Sequence, residues 1–118
     1  MDTDTLLEET MKLITKDIER QLKANNMKDT LGRPVVKLFG GGAFTWLISK
    51  MEDDGDTMFG LCDIGQGTPE MGSVSLSELK SLKFPPFGLG VERDLYFKPE
   101  KSLLEYWEEA REAGRIVA

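Results

Sequence analysis

Between Val35 and Ser75 the chain contains four short runs rich in β-formers: Val35 to Phe39, Phe44 to Lys50, Met58 to Ile64 and Met71 to Ser75. Gly40-Gly41-Gly42, Asp54-Gly55-Asp56 and Gly65-Gln66-Gly67 separate them, and such residues turn a backbone rather than extend it. Spacing this close leaves no room for the crossover of about a dozen residues that parallel neighbours need. The four runs therefore predict an antiparallel meander. A fifth run, Val91 to Phe97, joins the sheet only after the Pro/Gly segment "KFPPFGLG".

The period changes on either side of the meander. Leu7, Met11, Ile14, Ile18 and Leu22 recur at three- and four-residue steps, the stripe of an amphipathic helix. Thr5 with Glu8 reads as its capping box, and Asn25-Asn26 as its stop. Ser75 with Glu78 predicts a short helix "LSELKSL" before the last strand, and Ser102 with Glu105 opens a C-terminal helix running to Gly114. That last helix is expected to bury Leu103, Leu104, Trp107 and Ala110, with Tyr106 beside them, and to offer Glu108, Glu109, Arg111 and Glu112 to water. The fold class that follows is α+β in one domain spanning residues 1–118. Its antiparallel sheet has four or five strands, the N- and C-terminal helices pack on one face, and the short helix precedes the last strand.

Composition removes whole classes of function. Histidine is absent, which excludes Ser-His-Asp and Cys-His catalysis and histidine zinc sites. The lone Cys62 cannot form an internal disulfide or a multi-cysteine metal site. No stretch approaches the roughly 18 apolar residues of a membrane span, and the acidic start "DTDTLLEET" is unlike a signal peptide. A cytoplasmic location without membrane contact is expected.

The net charge of −6 resides in one segment. Met51 to Glu70 holds Glu52, Asp53, Asp54, Asp56, Asp63 and Glu70 with no Lys or Arg, leaving fifteen acids against fifteen bases elsewhere. A protein that tracks phosphates shows the opposite bias. Nucleic acid is therefore not an expected partner, and the acidic run reads first as a solvated loop.

No motif for chemistry stands out. The "GGG" tract lacks the Gly-Lys-Ser/Thr end of a phosphate loop and precedes a strand, so it reads as a hairpin turn. Trp46 shares a strand face with Phe44 and Ile48 and reads as core. Cys62, on the face of Met58 and Ile64, reads as a small buried hydrophobe. The candidate site is a polar cluster of Asp63, Glu70, Glu92, Arg93 and Asp94. Strand alternation places Arg93 beside Val91, Leu95 and Phe97, and Asp63 beside Phe59 and Leu61. A charge among apolar groups needs a partner, so an Arg93–Asp63 ion pair across the sheet is expected. Gathered carboxylates would also suit Mg²⁺, although their spacing matches no metal motif, and no cofactor is expected.

The blocks "LITKDIERQLKANN", "VVKLF", "FTWLISKME", "FGLCDIGQGTPEMGSVSLSELKSL" and "GLGVERDLYFKP" resemble a small bacterial family of unknown function. Glu70 to Leu79 and Gly88 to Phe97 carry the most specific part of that resemblance. It implies carriage on conjugative plasmids and integrated mobile elements, and it brings no activity with it. The function expected is a non-enzymatic accessory module of a mobile element that binds another protein. Two rivals stand beside it: a metal-dependent phosphodiester hydrolase using the acid cluster, and an acidic DNA mimic acting against host defence.

Overall fold

The structure, a computed structural model, describes residues 12–28 and 32–118. In chain order its elements are α1 (Lys16–Asn26), β1 (Val36–Gly40), β2 (Phe44–Met51), β3 (Thr57–Asp63), β4 (Glu70–Ser75), α2 (Leu76–Ser81), β5 (Glu92–Arg93) and α3 (Leu103–Ala113). All neighbours are antiparallel in one five-stranded sheet of order β4-β3-β2-β1-β5. The α+β class, the meander and the short helix before the last strand are as the sequence predicts. Among the described residues no helix is long and apolar enough to cross a membrane.

Helix α1 begins later than the hydrophobic stripe suggests. Thr15 is extended (φ −76°, ψ 165°) and its side chain accepts a hydrogen bond from the Ile18 N–H, so it caps the helix and leaves Leu13 and Ile14 outside it. The cap expected at Thr5 and Glu8, and the stripe positions Leu7 and Met11, lie outside the described residues.

The terminal helices cover opposite faces of the sheet, and not a single face. Leu22 of α1 shares one apolar cluster with Val36, Leu38, Trp46, Ile48, Met51 and Met58, joined by Leu76 and Leu79 of α2. Leu103, Tyr106 and Ala110 of α3 share the other with Leu47 and Leu61. The reason is visible in β2, where Trp46, Leu47, Ile48 and Ser49 are all buried. A strand with both faces covered cannot lie under helices on one side alone.

A bulge at Ser49 shapes this centre. Ile48 pairs with Gly60 but Lys50 pairs with Phe59, so Ser49 is the extra residue, and Met51 returns to the face of Ile48. The bulge also explains Gly60. A Cβ there would lie 2.0 Å from the Leu47 carbonyl oxygen, a separation no side chain tolerates. The Asn25 amide of α1 donates to the Ser49 carbonyl at 3.0 Å and ties the helix to the bulge.

Two further differences follow from local hydrogen bonding. The fifth strand is two residues long, not Val91 to Phe97, because the Asp94 carboxylate accepts from the Tyr96 N–H at 2.9 Å and turns the chain. Leu95 and Tyr96 thereby become exposed, while Phe97 crosses to the α3 side and meets Tyr106. In α3 the capping box of Ser102 and Glu105 and the left-handed Gly114 (φ 74°) form as expected. Leu103, Tyr106 and Ala110 are buried, Trp107 is half-buried and Leu104 faces water. The inward stripe of i, i+3 and i+7 leaves Leu104 on the flank.

Candidate interaction surface

The sheet holds the five predicted site residues apart. Asp63 ends β3, is 4% exposed, and its two carboxylate oxygens accept from the backbone N–H groups of Gly65 and Ile116, each at 2.9 Å. Arg93 pairs with Leu38 in β5 and so lies on the α1 face, whereas Asp63 pairs with Thr45 on the α3 face. With β2 and β1 between them, about 14 Å of sheet separates their strands. The expected Arg93–Asp63 pair does not form. Its place is taken by backbone donors, which satisfy a buried carboxylate as well as an arginine does, and they anchor the segment after α3 to the end of β3.

Glu70 opens β4 at one edge of the sheet, and Glu92, Arg93 and Asp94 stand at the other edge. Asp94 lies 3.6 Å from the Lys37 ammonium. Among the described residues no group of three or more His, Cys, Asp or Glu side chains could hold a metal ion. Burial pushes the Cys62 thiol up to about 11, so the reactive thiolate is scarce at neutral pH. Trp46 is 4% exposed and stacks on Phe44 with ring centroids 6.0 Å apart. Both residues serve the core.

The acidic turn is similarly occupied. Asp54 accepts from the Thr57 hydroxyl at 2.7 Å and from the Asp56 and Thr57 N–H groups at 2.9 Å. Asp56 accepts from the Ser75 hydroxyl at 2.7 Å and the Ser77 N–H at 2.8 Å, at the start of α2. These bonds hold both carboxyls below their ordinary range, with the Thr57 hydroxyl foremost for Asp54 and the Ser75 hydroxyl for Asp56. The turn's charge is thus partly architectural: it fastens the β2–β3 connection to α2.

What the tertiary structure presents is apolar. Phe87 is 82% exposed, Leu89 64%, Leu95 54% and Tyr96 90%. All four flank β5, two in the loop that enters it and two in the turn that leaves it. The loop is held from within: the Phe84 N–H donates to the Leu89 carbonyl and the Gly88 N–H to the Phe84 carbonyl, both at 2.8 Å. The Phe84 ring stands against Phe44 with centroids 5.0 Å apart, over Gly40 and Gly41, where a Cβ would come within 2.5 Å and 2.6 Å of it. The glycine tract is therefore both the predicted hairpin turn and a seat for Phe84, and that seat fixes the loop from which Phe87 projects. Reading the loop only as a connection missed this surface. The signal in the sequence was Phe84, Phe87 and Leu89 set among prolines and glycines without helical or strand period.

The fold and this surface define a small α+β domain built on an open antiparallel sheet, with an apolar display at one edge and no assembled catalytic centre among the described residues. The chain belongs to the family described as "Protein of unknown function (DUF2958)", whose model matches residues 7–117. No curated protein and no solved structure matches it.

Proposed function

We propose that this protein is a non-enzymatic interaction module that works in the cytoplasm by binding another protein, as an accessory of a bacterial mobile element. The observation that carries the reading is the display of Phe87, Leu89, Leu95 and Tyr96 around β5. Large aromatic and aliphatic side chains exposed on both sides of one edge strand suit a docking site, and a covered Phe or Tyr buries on the order of 150–250 Å². Phe87 is carried on a loop already ordered by Phe84, so docking costs little further conformational entropy. The hydrolase reading is weaker because Glu70 and the Glu92–Asp94 group occupy opposite sheet edges. The mimic reading is weaker because Asp54 and Asp56 are tied into turns.

The test is site-specific photo-crosslinking in cells, with a benzophenone side chain placed at Phe87 and, as control, at the exposed Glu108 of α3. A discrete protein adduct from position 87 that is absent from position 108 is the expected result. Identical adducts from both positions, or none from position 87, would overturn the reading.

A further inference from the structure

We infer that the surface accepts an acidic segment of its partner, through a lysine-rimmed cleft beside the Phe87 loop; this rests on the protein-binding reading above. The cleft, about 290 Å³, lies between the start of the described chain, the end of α2 and the approach to β5. Leu13, Ile14 and Val91 line it as apolar wall together with Lys12, Lys80 and Lys83, and the exposed Lys80 and Lys83 supply its cationic rim. Leu13 is buried, and Ile14 and Val91 are half-buried extensions of the α1-side core.

Cleft and display are continuous. The Lys83 ammonium lies 3.5 Å from where a Gly90 Cβ would stand, one residue beyond the exposed Leu89. Between Glu78 and Glu92 the chain carries Lys80 and Lys83 and no acid. Both lysines are exposed, and neither forms an ion pair among the described residues. The acids of nearby α1 are already engaged: Asp17 with Arg20 and Gln21, Glu19 with Lys23. The acidic turn meets the opposite end of α2, where the Asp56 carboxylate is already occupied by the Ser75 hydroxyl and the Ser77 N–H.

A concave apolar wall with cations at its rim suits an apolar side chain flanked by carboxylates. Such complementarity sets specificity and encounter rate more than raw affinity. A flat anionic bilayer calls for a larger polybasic cluster of about four to eight cations, and a nucleic acid for a basic stripe that this acidic chain lacks. An acidic protein segment bearing Leu or Phe is the occupant that the charges and shape select.

The experiment follows backbone amide shifts of the full chain on titration with short synthetic peptides in which Leu and Phe alternate with Glu, with Ser or with Lys, and with phosphatidylserine vesicles. The Glu peptide is expected to shift Lys83, Leu89 and Gly90 and to bind at least about tenfold more tightly than the Ser and Lys peptides. The Lys80→Glu/Lys83→Glu variant should bind it about tenfold more weakly, and Lys80→Gln/Lys83→Gln by a smaller factor, with other resonances unmoved. Equal binding of Glu and Ser peptides, abolished by Phe87→Ser, would overturn the acidic specificity while leaving the interaction module in place. Shifts with vesicles alone would overturn it in favour of a lipid surface. No shift with any peptide would overturn the cleft as a peptide site, whereas the Phe87 crosslink stands or falls separately.

Discussion

The β2–β3 centre and the β5 edge treat the same kinds of residue in opposite ways. At the centre Leu47, Ile48 and Leu61 have no exposure at all, and even a glycine is compelled: Gly60 fits only because it has no side chain to meet the Leu47 carbonyl. At the edge Phe87 and Tyr96 are more than four-fifths exposed, held out by a seated Phe84 and an Asp94 turn. The contrast teaches that apolar character alone does not locate a core. Pairing on both sides and a helix over each face make the centre, whereas a two-residue strand at the end of the strand order leaves its neighbours in water.

The sharpest way to break the contrast is at the two paired glycines, Gly60 and Gly72. Gly60→Ala should cost about 3 kcal/mol or more, or abolish folding, since backbone rather than a flexible side chain blocks the new methyl. Gly72→Ala, where a Cβ meets nothing within 4 Å, should stay within about 0.5 kcal/mol. Chemical denaturation of both variants checks this, and equal losses would show that the bulge does not dictate Gly60.

Asp63 tests how the α3 face is tied down. Asp63→Ala strands the Gly65 and Ile116 N–H groups and is expected to lose about 2–3 kcal/mol. Combined with Arg93→Ala, the two losses should add to within about 0.5 kcal/mol, because the residues are remote and on different faces. A larger coupling in that double-mutant cycle would revive the cross-sheet ion pair.

The smallest effect belongs to the edge. Phe87→Ser and Tyr96→Ser should each change unfolding free energy by less than about 0.5 kcal/mol, as side chains already in water lose no burial. A drop comparable to a core substitution would mean that Phe87 packs rather than displays.

The helix caps at Ser75 and Ser102, the Gly114 stop and the meander were legible in the sequence because each depends on residues only a few positions apart. The first strand boundaries were within a residue or two for the same reason. The candidate site was much less legible. Alternation along an assumed seven-residue strand put Arg93 beside Leu95 and Phe97, but a single carboxylate at Asp94 ended that strand after Arg93. The run Trp46-Leu47-Ile48 already hinted at a strand covered on both sides, which two terminal helices on a single face cannot supply.

The sequence by itself determined the class of fold, the order of its elements, the absence of histidine chemistry and membership of the matched family. These rest on composition and on local backbone preferences that survive in any arrangement of the elements. Tertiary structure alone decided which face each helix covers, that Asp63 meets backbone N–H groups instead of Arg93, and that Phe84 anchors the loop displaying Phe87. Those outcomes depend on groups from distant parts of the chain meeting in a particular register, and the period of a strand specifies alternation but not which neighbour stands opposite or which side remains uncovered.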